Sequence, residues 1–190
     1  MELSLYLKKI ECDCCGSSDE EFLLTRSGVL TGYPFRLVRC KRCGFIYFNP
    51  RLNPEGTEKL YNKDYYELCD ENRKYKVDSF ITDIKAIHPP PARLLDLGCG
   101  LGTLLRSAQN EGYEVKGYEI SPFAKKFAEN NGFVIFDDLD EIPRRYFDII
   151  TCIEVLEHCF SPTELLMNAS GYLRSGGLFY YLELCGKAAF

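Results

Sequence analysis

The sequence lacks a long apolar run, a hydrophobic leader and an excess of positive charge. No stretch approaches the roughly 20 apolar residues that a membrane-spanning helix requires, and the first residues, MELSLYLKKIECD, lack the apolar core of a signal peptide. The formal net charge is −5 at pH 7, which argues against binding to nucleic acid or anionic membrane by charge alone. We therefore expect a cytoplasmic protein without a membrane partner, and we do not expect nucleic acid as its ligand.

The sequence also lacks internal repeats and low-complexity tracts, as is usual for a globular protein. Of its 190 residues, 46% are hydrophobic, which is enough for one medium domain, alone or with a very small second one. The ten cysteines could form a disulfide scaffold, but they are spread through strand-like and helix-like segments without a secretion signal. Reduced thiols are therefore expected.

Two cysteine knuckles lie within residues 1–50. The segments CDCCG and CKRCG each contain a C-x2-C-G pattern, formed by Cys12 with Cys15 and by Cys40 with Cys43. Tetrahedral Zn²⁺ requires two such pairs brought together by a hairpin, and a glycine after each pair lets main-chain N–H groups turn toward the thiolates. Short strands are predicted at 22–25, 35–39 and 45–48. The segment is therefore predicted to be a zinc ribbon whose folding depends on the metal.

Three alternatives stay open for this segment. The two pairs could arise by chance or form a redox dithiol, although a redox motif needs only one pair. Cys14 could replace a neighbouring ligand, although the choice of Cys12 and Cys15 puts Gly16 in register with Gly44. A basic cluster could contact nucleic acid or, since acidic residues nearly balance it, form an ordinary solvated face. Its members are Arg36, Arg39, Lys41, Arg42 and Arg51.

Residues 51–91 are predicted to connect the ribbon to a second domain. Asn53 and Pro54 suit the cap and the first residue of a short helix, and apolar residues at helical spacing predict an amphipathic helix over 71–87. Three tyrosines lie between these helices: Tyr61, Tyr65 and Tyr66. They could contribute to a lid or to substrate contacts, or pack between the domains.

From residue 92 the chain alternates strands and helices. Strands are predicted at 93–97, 114–119, 133–136, 147–152 and 178–184, and helices are predicted to begin at Thr103, Pro122 and Pro162. Ser121 and Ser161 are predicted helix caps. This order predicts the α/β class, with a Rossmann-like parallel sheet of about five strands and helices on both faces.

The segment RLLDLGCGLGTLL, residues 93–105, joins the first of these strands to a helix through a glycine turn. Such turns are where α/β proteins bind nucleotides. A dinucleotide fingerprint would be G-x-G-x-x-G, but Thr103 stands at its third glycine, and the acidic Asp96 would repel a pyrophosphate. Glu119, at the end of the second strand, can accept two hydrogen bonds from ribose hydroxyls. A ligand with a ribose, a cationic end and no phosphate fits this pattern best.

These segments resemble those of class I S-adenosylmethionine-dependent methyltransferases with an N-terminal zinc-binding domain, as among sugar C-methyltransferase-like enzymes. LLDLGCGLG, VKGYEISPFA and FDIITCIEVLEH resemble three successive motifs of that family, and CKRCGFIYFNP with YNKDYY resembles its zinc domain and junction. The resemblance covers nearly the whole chain. Its motifs are specific for the cofactor and unspecific for the acceptor.

The resemblance implies a set of cofactor-binding residues. Glycines of the turn would let the backbone approach the cofactor, Asp96 would help to hold its ammonium end, and Glu119 would hold its ribose. In the segment 137–139, which resembles the adenine-facing one, Asp138 is favoured over Asp137 as acceptor from the exocyclic amine, although a solvated turn is the alternative. The predicted set is Asp96, Gly98, Gly100, Gly102, Glu119, Ile120, Asp138 and Leu139.

EVLEHCF, residues 154–160, follows the fourth strand at the cleft edge that faces the acceptor in this family. His158 is the candidate general base, because an imidazole titrates near neutral pH. Glu157 would orient it or hold a metal. The alternative is a structural histidine, because methyl transfer from a sulfonium can proceed by proximity and alignment.

The family's sheet has seven strands, whereas five are predicted here, and its sugar-modifying members add a C-terminal substrate domain. We therefore expect a domain that is incomplete at its C-terminus: a fragment, a truncated product or a minimal form. The predicted division is a zinc ribbon at 1–50, a helical connection at 51–91 and a methyltransferase domain at 92–190.

The predicted function is methyl transfer from S-adenosylmethionine to a small-molecule acceptor, such as a sugar or another metabolite. The alternative is a non-catalytic binding module for protein or nucleic acid. A nicotinamide-dependent oxidoreductase is disfavoured by Thr103 and Asp96. The acceptor atom (C, N or O) and the oligomeric state stay open.

Overall fold

The computed structural model of the protein describes residues 3–28, 31–69 and 74–182, with the side chains of 68, 69 and 74–76 excluded. The N-terminal part contains strands β1 (Leu7–Lys8), β2 (Glu20–Ser27), β3 (Pro34–Cys40), β4 (Ile46–Phe48) and β5 (Arg51–Leu52). Helices α1 (Pro54–Leu60), α2 (Lys63–Cys69) and α3 (Lys74–Ile87) follow. The chain then alternates through β6 (Arg93–Leu97), α4 (Thr103–Asn110), β7 (Glu114–Tyr118), α5 (Pro122–Asn130), β8 (Ile135–Phe136), β9 (Phe147–Ile153), α6 (Pro162–Tyr172) and β10 (Leu173–Leu182).

The N-terminal part is built on an antiparallel ribbon of β2, β3 and β4, with β3 in the middle. Strand β3 buries Phe35, Val38 and Cys40, while Arg36 and Arg39 are exposed. The two arginines are three positions apart, so they extend into solvent from opposite faces of the strand.

Arg51 is not exposed to solvent as these two arginines are, although the sequence groups it with the other basic residues. It is 6% exposed, and its guanidinium donates a hydrogen bond to the carbonyl of Cys159 in the C-terminal part. Strand β5, which carries Arg51, pairs with β1 instead of joining the ribbon.

The predicted α/β class is confirmed. Among the described residues, five parallel strands form one sheet in the order β10-β9-β6-β7-β8. The central strand β6 is a short apolar run with Leu94, Leu95 and Leu97 fully buried, as expected of a parallel strand that is covered on both faces. The chain runs from β6 to β7 and β8 on one side and returns to β9 on the other. The carboxyl ends of β6 and β9 therefore flank a topological switch point, where sheets of this kind bind ligands.

Helices cover both faces of the sheet, as predicted. On one face Ile84 of α3 and Leu105 of α4 pack with Leu94 and Ile149 of the sheet. On the other face Leu165 and Tyr172 of α6 pack with a second set of sheet residues: Leu95, Leu97, Ile150 and Cys152. The helix predicted over 71–87 is seen from Lys74, and residues 70–73 lie outside the described residues.

The predicted helix caps are confirmed. The side chain of Asn53 accepts a hydrogen bond from the amide of Gly56 at 2.8 Å, with Pro54 as the first residue of α1. Ser121 caps α5 and Ser161 caps α6 in the same way, each followed by a proline. A serine or asparagine followed by proline satisfies one free amide and presets the first helical φ.

Other boundaries differ from the prediction because their signals are short or irregular. Helix α2 and the pair β1–β5 were not predicted. The two strands have two residues each, and strands of that length show no periodicity. Strand β10 begins at Leu173 and is irregular until Leu178, where prediction placed its start, and residues 183–190 lie outside the described residues. Among the helices described, none is long and apolar enough to cross a membrane.

Candidate functional site

The glycine turn lies between β6 and α4. Gly98, Gly100 and Gly102 have φ values of 74°, 53° and 82°, in the left-handed region that favours glycine. A Cβ atom at Gly98 would lie 2.5 Å from Val155 Cγ2, and one at Gly102 would lie 3.0 Å from the Phe133 ring. At these two positions the protein's own side chains exclude a larger residue. At Gly100 the nearest side chain is Tyr66, 3.5 Å from such an atom.

Glu119 connects this turn to the end of β7. Its buried carboxylate accepts the amide of Gly100 at Oε2 and the amide of Ser121 at Oε1, both at 2.8 Å. An ionised carboxylate offers about four lone-pair positions, which is more than these two amides use. The geometry fits a ligand with adjacent hydroxyls.

Asp96 is a second buried acid, at the end of β6. It is 4% exposed, and its Oδ1 accepts a hydrogen bond from the hydroxyl of Thr151 at 2.7 Å. Burial, with the negative charge of Glu119 adding to it, raises the pKa of Asp96 to about 7 against the opposing effect of the Thr151 bond. A cationic ligand group nearby would favour the carboxylate.

A groove of about 530 Å³ opens beside Glu119 and Ile120. Asp137 is among its lining residues, and its carboxylate forms an ion pair with Lys125. Asp138, the favoured candidate for an adenine contact, instead caps the turn Leu139–Glu141 by accepting the amide of Asp140 at 3.0 Å. The half-buried Leu139 packs against the core. The groove is thus lined by two residues of the predicted set, Glu119 and Ile120, and by Asp137; the adenine contact of Asp138 stays a prediction.

His158 and Glu157 lie on a short helical turn, Leu156–His158, directly after β9. The His158 Nε2 atom is 4.0 Å from Glu157 Oε1, which is too long for a hydrogen bond. The imidazole packs edge-on against Tyr61, with ring centroids 5.7 Å apart. His158 is therefore oriented by packing as well as by polar contacts.

The three tyrosines of the connection cross the cleft. Tyr65 stands edge-on to both Tyr61 and Tyr66, with centroid separations of 4.6 and 5.0 Å. One end of the row, Tyr66, lies over Gly100, and the other end, Tyr61, lies against His158. The Tyr61 hydroxyl is buried and has no hydrogen-bond partner among the described residues. The tyrosines therefore pack the junction against α5, and YNKDYY was the only signal for them. A role in a lid or in substrate contacts stays a prediction.

Four cysteines of the ribbon converge, as their spacing predicts. The sulfurs of Cys12, Cys15, Cys40 and Cys43 all lie within 4.8 Å of one another, and two of the pairs are 3.5 Å apart. A Zn–S bond of about 2.3 Å in a tetrahedron separates its sulfurs by roughly 3.8 Å. The donor set and its dimensions fit Zn²⁺. Cys14 is exposed and outside the cluster.

A cavity of about 240 Å³ separates the ribbon from the segment after β9. Its ribbon side is mainly apolar and aromatic, with Phe45, Tyr47 and Phe48, and its other side is formed by Leu156, Glu157 and Pro162. Arg26 and Arg51 also line it. Glu157 thus faces this cavity, while His158 contacts Tyr61.

Comparison with known proteins identifies the C-terminal part. The family described as "Methyltransferase domain" matches residues 69–188. The chain is similar to the ubiquinone biosynthesis O-methyltransferase of Nitrosomonas europaea, with 30% identity over 102 residues, covering 48% of this chain and 43% of that protein. It is also similar to the enzyme of that name from Xanthomonas axonopodis, with 31% identity over 108 residues, covering 52% and 45%. The chain therefore spans less than half the length of these relatives.

Solved structures have the same fold. A SAM-dependent methyltransferase from Archaeoglobus fulgidus is 26% identical with a TM-score of 0.50, covering 58% of this chain and 54% of that one. The sugar N-methyltransferase KedS8 from Streptoalloteichus is 19% identical with a TM-score of 0.56, covering 68% and 56%. The second likeness is one of fold alone.

The cysteine cluster predicts a structural metal. Purified protein should contain about one zinc ion per chain by elemental analysis, because the four thiolates form a closed tetrahedral site. Cys40→Ser should release the zinc and unfold the ribbon, as the loss of amide dispersion by NMR would report. Cys14→Ser is the matched control and should keep the metal. A Cys12–Cys43 disulfide in protein purified anaerobically would contradict this prediction.

Asp96 predicts a pH dependence of stability. Its pKa is about 7 in the folded state and about 3.9 in an unfolded chain, so between these values the folded state binds a proton that the unfolded state releases. The free energy of unfolding should therefore fall as pH rises from 5 to 7, by at most about 1.4 kcal/mol per pH unit, and level off above pH 7. Urea unfolding of the wild type and of Asp96→Asn measures the difference. Equal pH dependence in both proteins would refute the assignment.

Proposed function

The chain belongs to the methyltransferase-domain family, and on this basis we propose that it binds S-adenosylmethionine and transfers the methyl group to a small-molecule acceptor. One observation carries the proposal. The buried carboxylate of Glu119 accepts a hydrogen bond from the amide of Gly100 in the turn. This contact lies at the carboxyl ends of β6 and β7, beside the switch point between β6 and β9. This is where a nucleoside with free ribose hydroxyls can be held without a phosphate site.

The cofactor-binding residues follow from the donors and acceptors in the cleft. Glu119 would accept from the ribose hydroxyls, and Asp96 would pair with the ammonium group. Gly98, Gly100 and Gly102 shape the turn, and Ile120 and Asp137 line the groove beside it. We keep Asp138 and Leu139 as a second candidate segment for the adenine. When bound, the cofactor supplies a methyl group activated by its sulfonium.

On the acceptor side, we propose that His158 accepts the proton that the acceptor loses. It lies next to Glu157, which lines the cavity between ribbon and sheet. Alignment of acceptor and cofactor supplies much of the rate in such a transfer, and a positioned base adds to it. A sugar or another small metabolite is the proposed acceptor. The sequence resemblance supports a sugar, and one protein of the same fold is a sugar N-methyltransferase.

We propose that residues 1–50 bind zinc, that 51–91 connect and that 92–190 form the methyltransferase domain. The family match begins at residue 69, inside the connection, and α3 packs in the core of the sheet. On the ribbon side, Leu52 and Leu60 pack against Phe35. The first part of the connection thus packs on the ribbon, and its last helix packs on the sheet. We also propose a reducing, cytoplasmic location, because the sequence predicts reduced thiols and has no secretion signal.

The binding-module alternative has less support. Arg51, one of the five basic residues that could contact nucleic acid, is buried and hydrogen-bonded to a carbonyl.

Cofactor identity is tested by thermal unfolding and calorimetry. S-adenosylmethionine and its demethylated product should raise the unfolding midpoint, and NAD should not, because only a ligand that binds the native state stabilises it. Glu119→Ala should weaken binding by about 1.5–3 kcal/mol, the range for hydrogen bonds to a charged group. Glu114→Ala, at the opposite end of β7, is the matched control. Equal shifts with NAD, or unchanged affinity in Glu119→Ala, would refute the proposal.

The role of His158 is tested by substitution. His158→Ala should leave the dissociation constant for S-adenosylmethionine nearly unchanged and lower turnover by about 10²–10⁴-fold, measured with an acceptor found in a panel of nucleotide sugars and small metabolites. The pH–rate profile should lose the limb near the histidine pKa. His88→Ala, which changes the other histidine, should behave as wild type. Loss of cofactor binding in His158→Ala would identify a structural histidine.

A further inference from the structure

Asp13 lies inside the first cysteine knuckle, but its polar contacts are with the start of α6. Its Oδ1 accepts the hydroxyl of Ser161 at 2.6 Å, and its Oδ2 accepts the amide of Thr163 at 2.8 Å. Its carbonyl accepts the Thr163 hydroxyl at 3.2 Å. A carboxylate at a helix N-terminus accepts hydrogen bonds from the free amides there, and the positive end of the helix dipole stabilises its charge. The knuckle therefore supplies a second cap to α6, beyond Ser161.

Arg51 makes a second contact from the N-terminal part to the same segment. Its buried guanidinium donates to the carbonyl of Cys159, the residue after His158. Together Asp13 and Arg51 hold residues 159, 161 and 163, which are one, three and five positions beyond the candidate base. From the other side His158 contacts Tyr61, and its amide donates to the carbonyl of Val155 at 2.9 Å.

The position of Asp13 depends on the cysteine cluster. The turn that carries it is closed by hydrogen bonds from the amides of Cys15 and Gly16 to the carbonyl of Cys12. The sulfurs of Cys12 and Cys15 in this turn belong to the four that converge. The apolar cluster beneath it is small: Cys12, Val38, Cys40 and Tyr47 are its buried members. A segment with so little apolar burial keeps its geometry through the metal.

From these contacts we propose that Asp13 and Arg51 are positioning residues. They join the four-cysteine site to the segment Glu157–Thr163, so that metal in the ribbon sets the orientation of His158. The ribbon then acts on the acceptor side of the active site, and none of the residues that Asp13 and Arg51 contact lines the groove beside Glu119. The catalytic importance of this orientation rests on the proposed function, whereas the structural coupling can be measured without an acceptor.

The two histidines of the chain make ring NMR a direct readout, because His88→Ala assigns the His158 signals. In the zinc-loaded protein, Asp13→Ala should shift the His158 ring signals. It should also speed hydrogen exchange of the amides of His158, Glu164 and Leu165 at least tenfold, because the segment that holds their hydrogen bonds becomes less rigid. Zinc content and the dissociation constant for S-adenosylmethionine should each stay within twofold of wild type. Asp13→Asn, which keeps one acceptor oxygen, should be intermediate. Asp19→Ala changes another acid near the ribbon and should have no effect.

Metal removal tests the coupling itself. Chelation of zinc from the wild type should move the His158 signals in the direction seen in Asp13→Ala, and chelation of Asp13→Ala should move them little further. If Asp13→Ala fails to fold, Arg51→Met removes the bond to the Cys159 carbonyl and Thr163→Val removes the hydroxyl bond to the Asp13 carbonyl, and each should shift the His158 signals in the same direction. Unchanged His158 signals in the folded variants, or additive effects of chelation and substitution, would overturn the proposal. Failure of S-adenosylmethionine to bind would refute the proposed function. The coupling between metal and His158 would still be tested, because the His158 signals are measured without cofactor or acceptor.

Discussion

Both oxygens of the buried Glu119 carboxylate accept main-chain amides, from Gly100 after β6 and from Ser121 before α5. The cleft depends on this bridge, because it joins the ends of the two strands on one side of the switch point. Without it the turn would lose its partner at Gly100, the one glycine of the turn that leaves room beside it. The hydroxyl of Ser121 in turn donates to the carbonyl of Tyr61, which connects the bridge to the row of tyrosines.

Asp96 and Glu119 are two acids buried close to each other at the ends of β6 and β7. Burial raises the pKa of Asp96, and the nearby Glu119 charge adds to the effect, so a second negative charge is disfavoured until a cation arrives. Such a site favours a nucleoside with a positive end and disfavours a pyrophosphate. The distinction drawn from the sequence between this turn and a dinucleotide fingerprint therefore has an electrostatic basis in the structure.

The acceptor side is built by long-range contacts. Asp13 reaches residues 148 and 150 positions away, and Arg51 reaches one 108 positions away. The ribbon has little apolar core of its own, so its four thiolates are the element that can hold these two side chains in place. In our proposal the ribbon thereby acquires a role in orienting the segment that follows β9.

Local patterns determined the sheet and the cofactor end of the site. The apolar run of β6, the caps at Asn53, Ser121 and Ser161, and the cysteine spacing involve residues within a few positions of one another, so they are readable from the chain. The tertiary structure alone decided the burial of Arg51, the contact of Asp13 with α6, the place of Tyr61 beside His158 and the position of Asp137 in the groove. These depend on segments that meet only after folding, and a contact between distant residues leaves no periodicity or spacing in the sequence.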